Sequence, residues 1–598
     1  MASVKQAIFS GTERFQVRMP AEKRQATHRD LARALESSGH VDPEALAIHY
    51  RGAGDSDRAA RCAIRAAACA EQSLAFDHSA RLYRMALELL PEGHPEARML
   101  TVRLGDALAH SGRGAEAAEA YRAAAKSANA ADALDLSRRA AQQLLITGHI
   151  DEGLAAVRAV LESEHIKYPR TPLQALLALI ALRARIRLRG LGFKIRDESE
   201  VASRDLVRVD VCWHMGVGLS AVDTIRGQVF QSKSLLFALA AGEPKRLARA
   251  LASEGSVTSS RGGAVQERVE HLLKLAEDIS RDVEAPHLKA YLLGSRGTAE
   301  FLCGRFREAL AHCVEAEEVF RERCTAVTWE IATVRLWIGR SLMYLGRIAE
   351  LSQRVPAGLA ECRDRGDLYG STSLRAAVMP LVMLAADDPD RAHHEIREAR
   401  ARWSTLGYHL QHYYCLQSEV SALLYQGDGQ RAYERLEEEW SALSRSYLLR
   451  VQFVRVVLLD ARGRAALTRA DGVGGDAKRW LGLALADAER LAQERMPWSE
   501  PLAKALRAGI CGRKGDHARA ARLLREAAQD FETAGMDLHA AAARRRLGEL
   551  LGGDVGKMLV READKWMVGQ SVRSPERMAA MLVPPFATKM MTARTTAR

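Results

Sequence analysis

The sequence predicts an all-α protein, a long α-solenoid built from antiparallel helix pairs. Three observations carry that prediction. Leu, Ala, Arg and Glu, all good helix formers, dominate the 598 residues. Aromatic residues make up only 6% and prolines number 16, which disfavours a β-sandwich or barrel. A turn residue followed five positions later by a small one recurs along the chain, from Ala75 to Ala520. At roughly 150 residues per domain, the length allows about four domain equivalents or one repeat array. With 47% hydrophobic and 27% charged residues there is ample material for a core, and intrinsic disorder is excluded for most of the chain.

Taken in order, Thr27 to Ser37 reads as an amphipathic helix capped by Thr27, with Leu31, Ala34 and Leu35 inward. Ala75 to Ala80 leads into Leu82, Tyr83, Ala86, Leu87 and Leu90, and Pro91 closes that helix. The most complete unit is Leu104-Gly105-x-x-Leu108 followed by Gly112, Ala117, Tyr121 and Ala124. Gly105 lets one helix press on its neighbour, Gly112 ends it at the turn, and Ala117 is small enough for the second helix to cross. The same spacing runs from Gly148 to Gly153, Gly304 to Ala309, Gly427 to Ala432 and Gly515 to Ala520. Clear apolar stripes follow in Ala309-Cys313-Ala316-Phe320 and Ala520-Leu524-Ala527-Phe531. These units resemble the tetratricopeptide pattern, whose period is about 34 residues. One such pair cannot bury its own apolar face, whereas stacked pairs can.

Leu173 to Leu182 is apolar for ten residues and is followed by Arg183, Arg185, Arg187 and Arg189. A bilayer needs about 20, so the stretch reads as a buried helix with a basic last turn. Leu374 to Ala386 carries Arg375 and Pro380 and fails as a span for similar reasons. Loops are predicted at Gly255–Gly263 and Asp471–Asp476, the first dividing the solenoid into two halves. The expected organisation is N-terminal helices over 1–54, solenoid halves over 55–255 and 264–555, and a C-terminal tail over 556–598, frayed from Ala593 to Arg598.

Lys and Arg total 87 against 75 Asp and Glu, a net charge of +12. The excess is mild and interleaved with acidic residues, so nucleic acid is not expected as a partner. Nine cysteines without a CxxC pair, with Cys62, Cys69, Cys212, Cys303 and Cys313 in apolar helical surroundings, read as reduced buried thiols. The first residues lack an apolar core of signal-peptide length, and the expected location is cytoplasmic, without a membrane.

Several strings imitate catalytic motifs. His28-Arg29-Asp30-Leu31 matches the start of a kinase catalytic loop, but Ala32 stands at the usual Lys position and Leu35 at the magnesium-binding Asn. Gly552-Gly-Asp-Val-Gly556-Lys557 lacks the correctly spaced first Gly and the Ser/Thr of a phosphate loop, because Met558 follows. Gly112-Arg-Gly114 and Gly216-Val-Gly218 do not follow strands, as a dinucleotide site requires. His394-Glu395-Ile-Arg-Glu398 lacks the second His of a zincin motif. His409, His412 and Cys415 lie three apart and could ligate a metal, but packing roles are expected. Glu437-Glu438-Glu439 and Glu315-x-Glu317-Glu318 read as solvated faces. Trp213, Trp329, Trp337, Trp403 and Trp480 read as fillers between helices rather than a ligand cage. No catalytic, cofactor-binding or metal-binding residue is assigned, and the partner-binding residues are left open.

Thr27-His-Arg-Asp-Leu-Ala-Arg-Ala-Leu-Glu36 followed by Asp42-Pro-Glu-Ala-Leu-Ala-Ile-His-Tyr-Arg-Gly-Ala-Gly54 resembles a junction in large bacterial serine/threonine kinases. There an N-terminal kinase and a central AAA-type, STAND-like ATPase give way to C-terminal helical repeats. Arg187-Leu-Arg-Gly-Leu-Gly-Phe193 through Arg204–Trp213, Val222-Asp-Thr-Ile-Arg-Gly227 through Ala241–Pro244, and Leu406–Tyr414 are similar to that repeat region. So are Ala563–Trp566, Pro575–Met578 and Leu582–Phe586 of the tail. The resemblance covers nearly the whole chain but only the family's repeat region. It implies that residues 1–54 are the remnant of the ATPase junction. The kinase lobes and nucleotide-binding core have no counterpart, so neither activity carries over. The expected function is a non-enzymatic, tetratricopeptide-like interaction module of a kinase–ATPase signalling system, binding a protein or peptide on its concave face. The alternative is the ligand-sensing arm of a STAND-type transcription regulator, disfavoured because Arg573–Phe586 is too short and Pro-broken for a helix-turn-helix.

Overall fold

The computed structural model describes residues 20–37, 42–163, 166–220, 223–470 and 476–586. Among them there are α-helices and short 3-10 turns and no strand. Two compact units form: residues up to Leu144 with Glu152–Val160, and Leu145–Asp151 with the rest from Leu161 onward.

The first unit is built from α1 (Ala21–Ser37), α2 (Pro43–Ala53), α3 (Ser56–Gln72), α4 (Phe76–Leu89), α5 (Ala97–His110), α6 (Gly114–Ala125), most of α7 (Ala130–Ile146) and most of α8 (Ile150–Ser163). Consecutive helices pack on one another from α1 to α6. The contact at Gly105 is close: a Cβ there would lie 2.7 Å from the Tyr121 ring. Gly112 turns the chain at φ +83°, and Ala117 is fully buried at the crossing. These features meet the expectation for a tetratricopeptide-like pair.

The start of this unit departs from expectation. Helix α1 begins at Ala21, so Thr27 lies inside it and its hydroxyl donates to Lys23 O at 2.9 Å. The inward face is then set by His28, Ala32 and Leu35, while Leu31 is 45% exposed and Ala34 faces solvent. Cys69 is exposed rather than buried, because the packed face of α3 runs through Ala59, Ala63, Ala66, Ala67 and Ala70.

The second unit holds α9 (Pro172–Arg189), α10 (Ser203–Ser220), α11 (Thr224–Ala241), α12 (Pro244–Ser259), α13 (Gln266–Ser280), α14 (Pro286–Leu302), α15 (Phe306–Arg323), α16 (Thr328–Leu345), α17 (Ile348–Asp364), α18 (Leu368–Ala377) and α19 (Met379–Ala385). It continues through α20 (Pro389–Arg402), α21 (Leu410–Tyr425), α22 (Gly429–Arg445), α23 (Gln452–Arg469), α24 (Ala477–Gln493), α25 (Ser499–Arg513), α26 (His517–Thr533), α27 (Asp537–Leu551), α28 (Gly553–Gly569) and α29 (Pro575–Leu582). Besides sequential packing, α12, α14, α16, α18, α21, α23 and α25 each touch the next in that series. They form a continuous layer of first helices, with the second helices behind it. One apolar core runs through the unit from Ile186 to Val583.

Three expectations change here. Gly255 to Ser259 is helical, and the turn starts only at Ser260. Its serines do not break the helix because they bond within it or to the next repeat, as Ser256 Oγ does to Ala252 O and Ser295 O. Helix α9 is not buried: Leu173 is 65% and Leu188 89% exposed, and Leu177 and Ile180 share that face. It packs mainly on α11, and Arg183 reaches Glu254 of α12, so the side bearing Ala175 and Ile186 is the covered one. Leu368–Ala385 has the length and mean hydropathy, 1.3, of a membrane span, yet 78% of it is buried in the fold. It is also broken at Val378, ahead of Pro380. The predicted loop at Asp471–Asp476 and the frayed end from Ala593 lie outside the described residues, apart from Asp476, which caps α24.

Candidate functional site

The layer of first helices holds two features, a docked segment of the chain's own C-terminal region and a cavity. Helix α29 and the residues after it pack against α21 and α27. Three arginines hold this segment by its backbone, two of them on the layer and one on α27, which touches α16. Arg464 Nη1 of α23 donates to Met581 O at 2.7 Å, Arg513 Nη2 of α25 to Pro585 O at 2.7 Å, and Arg546 Nε of α27 to Val583 O at 2.8 Å. Phe586 covers Gly512, where a Cβ would come within 2.0 Å of its ring. Each of the two most buried arginines also has a carboxylate: Asp460 for Arg464, at 2.8 Å, and Glu549 for Arg546. Burial raises the Asp460 carboxyl while Arg464 pulls it back.

The cavity, of about 240 Å³, opens on the same layer nearer the N-terminal end of the unit. Helix α16 supplies one wall. Its sequence is apolar around most of its circumference, yet Glu330, Thr333, Trp337 and Arg340 fall on one face at helical spacing and line the cavity. The opposite walls come from α12, α14, α18, α21 and α23. Several lining polar groups satisfy one another. His287 Nε2 meets Glu330 Oε1 at 3.0 Å, Tyr291 Oη meets Ser253 Oγ at 2.8 Å, and Tyr369 Oη meets Thr333 Oγ1 at 3.3 Å.

Others have no partner. Arg340 is 1% exposed, and its Nε and Nη1 have no acceptor. Trp337 Nε1, Tyr413 Oη and Gln231 Oε1, also on the cavity wall, are likewise unpaired. The guanidinium is met by the Tyr413 hydroxyl and by rings: its Cζ lies 4.8 Å from the Tyr414 centroid, 5.5 Å from Phe453 and 5.6 Å from Phe301. Cation–π contacts contribute about 2 kcal/mol each when desolvated. Burying an arginine costs several kcal/mol, and each unmet donor about 1–3 kcal/mol more. Burial pushes the Tyr344 phenol behind it up to about 12 and raises that of Tyr413 further. Around Arg340, then, both phenols stay neutral at physiological pH and supply no negative charge.

The motif-like strings take structural positions. The His28 ring covers Gly52, where a Cβ would lie 2.6 Å from it, and its Nδ1 is 3.0 Å from His49 Nδ1. Gly556 and Gly548 sit at a helix crossing, and Gly216 and Gly218 press on Gln231 and Leu145. Glu395 and Glu398 pair with Arg375 at 3.1 and 3.6 Å, while His394 is exposed. Trp403 Nε1 donates to His409 Nδ1 at 2.9 Å, and His409 Nε2 faces Leu406 O at 3.0 Å. His412 Nδ1 accepts from His409 N at 3.0 Å, and burial pushes its ring down to about 4. Cys415 points to Ile396 O instead, with burial pushing the thiol up to about 12. Among the described residues no group of three His, Cys, Asp or Glu side chains is placed to hold a metal ion.

Two readings of acidic and aromatic residues are corrected. Glu317 and Glu439 are not solvated. Glu317 accepts from Arg335 at 2.7 Å, and Glu439 from Arg400 at 2.7 Å, Arg435 at 2.6 Å and Tyr408 at 2.8 Å. Stacking brings arginines from neighbouring helices onto these carboxylates, which helix periodicity within one segment does not reveal. Trp213, Trp403 and Trp480 fill gaps between helices, edge-on to Tyr291, His409 and Tyr433. Trp329 and Trp337 instead line the cavity. Arg340, Tyr413 and Gln231 carried no motif. The one visible signal was an arginine inside the apolar run Leu336-Trp-Ile-Gly-Arg340-Ser-Leu-Met-Tyr344.

No protein-family model matches the chain, and no curated protein matches it. Among solved structures it is similar to a Rap protein complexed with competence and sporulation factor, at 13% identity over 73% of this chain and 99% of the other, with a TM-score of 0.35. It is also similar to the APC/C hetero-tetramer Cut9–Hcn1, at 13% identity over 90% of this chain and 94% of the other, with a TM-score of 0.41.

Proposed function

We propose that the chain is a non-enzymatic helical-repeat interaction module that binds a protein or peptide partner on the layer of first helices of its second unit. One observation carries the reading: that layer, with α27, already holds a segment of the chain itself. Residues 575–586 lie along it with their carbonyls held by Arg464, Arg513 and Arg546, and the cavity extends the same surface. The non-enzymatic part is supported at His28, whose ring meets His49, and at His412, whose ring accepts from a helix end.

The stretches that resemble bacterial kinase–ATPase proteins support a role for this module in such a signalling system, where partner binding on the repeats would bias the kinase or ATPase. The test is calorimetric titration of the full chain with a purified kinase–ATPase region of that family. Saturable binding is expected, weakened at least tenfold by Trp337→Ala, together with no ATP hydrolysis or autophosphorylation by the chain alone above a mock preparation. Hydrolysis by the chain alone, or no binding, contradicts the reading. A second reading, a small-molecule-sensing arm of a STAND-type regulator, is favoured by the cavity itself. At about 240 Å³ it far exceeds the ~30 Å³ of one water.

A further inference from the structure

We infer that the cavity beside α16 is a receptor for a monocarboxylate on an apolar body, with Arg340 as the residue that takes the carboxylate. The inference rests on the reading of the first-helix layer as a binding face and adds the chemistry of its guest.

Three observations lead to it. First, Arg340 differs from the buried arginines that hold the C-terminal segment. Arg464 and Arg546 each have one carboxylate from the protein and one carbonyl from residues 575–586. Arg340 has neither among the described residues, and a guanidinium does not deprotonate. A neutral carbonyl would satisfy its N–H groups but leave its charge uncompensated, so the guest brings the charge. Second, the unpaired groups nearest in sequence and field are donors. Trp337 Nε1 can only donate, Arg340 can only donate, and the Tyr413 hydroxyl, which feels the field of Arg340, can do so. A set of donors fits a group that is all acceptor. Third, the charge count is one. A dianionic phosphate against a single guanidinium would leave a buried negative charge, whereas a carboxylate balances it and matches the planar fork. The lining carboxylate, Glu330, is already held by His287 and lies ten residues away on α16, about 15 Å along the axis. Most of the wall surface is apolar, with Val334, Phe453 and Val454 prominent, and the hydroxyls of Ser220, Ser253, Ser256 and Ser260 are bonded within the protein, so the body attached to the carboxylate is largely apolar too.

The carboxylate could belong to a peptide C-terminus or to a free acid, and the experiment separates the two. The full chain is titrated, with Trp337 and Trp329 as fluorescent reporters on the cavity wall, against two matched pairs. One pair is 3-phenylpropionate and 3-phenylpropanamide. The other is a four-residue apolar peptide ending in phenylalanine, with a free or an amidated C-terminus. In at least one pair the acid is expected to saturate and to bind at least tenfold tighter than its amide. Arg340→Met should abolish that difference, and Arg340→Lys should keep part of it. The midpoint of thermal unfolding of Arg340→Met, measured without any acid, should be no lower than that of the parent, because an unpaired buried charge is removed. Equal binding of acid and amide in both pairs, no saturation by either acid, or a lowered midpoint for Arg340→Met with acid binding intact each overturns the inference. If the free acid binds and the peptide does not, the site stands and the peptide-binding reading of this surface fails. If neither acid binds while the kinase–ATPase region still does, the site fails and that reading stands.

Discussion

Two parts of the second unit treat buried arginines differently. Near the C-terminal end, Arg464 and Arg546 are each neutralised by a carboxylate of the protein and capped by a carbonyl of residues 575–586. Near the cavity, Arg340 is just as buried and has rings but no acceptor for Nε or Nη1. Arg335, five residues earlier on the same helix, shows that α16 can satisfy an arginine: it pairs with Glu317 at 2.7 Å and Glu361 at 2.6 Å on the face turned toward α15 and α17. The difference therefore belongs to the face and not to the helix. Scaffold arginines come with their counter-charges, and the cavity arginine waits for one.

That contrast is sharpened by substitution, and its largest effect is expected at Arg464. Arg464→Met leaves Asp460 buried without its cation and frees Met581 O, at a cost of about 3–5 kcal/mol. Arg340→Met strands no carboxylate and should cost nothing measurable. Chemical denaturation of the two variants side by side checks this, and equal losses would erase the distinction between the two faces.

A second effect concerns pH. Asp367 caps α18, accepting from Gly370 N at 2.9 Å, yet burial pushes its carboxyl up to about 7. Cys362 and Arg365 nearby pull it down only in part. Its pKa in the unfolded chain is about 3.9. The folded state therefore holds the proton more tightly, and this contribution is full below pH ~4 and is lost as pH rises through about 7. The loss is on the order of a few kcal/mol. Asp367→Asn keeps the cap and should flatten stability over that window, as read from midpoints at a series of pH values.

Smaller effects test the repeat geometry. Gly304 turns the chain at φ +81°, and a Cβ there would lie 2.2 Å from the buried Trp498 ring. Gly304→Ala is expected to cost about 1–3 kcal/mol in a thermal or denaturant midpoint. The least change is expected at α9, where Leu177→Ser alters a side chain that is 58% exposed and should shift stability by less than about 0.5 kcal/mol.

The spacing of turn residue and small residue made the helix pairs legible in the sequence. Gly112, Gly304, Gly427 and Gly515 all have positive φ, and Ala117, Ala309, Ala432 and Ala520 are all fully buried. That signal is local, since it spans one hairpin. What depended on stacking was not legible. Glu317 looks solvated until Arg335 of the next pair covers it. The apolar run of α9 looks like core, although Leu173, Leu177, Ile180 and Leu188 on its outer face are exposed. The site was hidden for the same reason. Arg340, Tyr414 and Phe453 lie on three helices far apart in sequence, and an arginine shows that it lacks a partner only when all of its neighbours are known.

The central claim is that partners bind on the layer of first helices in the second unit. Amide hydrogen exchange of the full chain, with and without a saturating kinase–ATPase region, tests it most directly. The account predicts slowed exchange concentrated in α14, α16 and α21, around the cavity. Protection confined to the first unit, or to the second helices behind the layer, would contradict it.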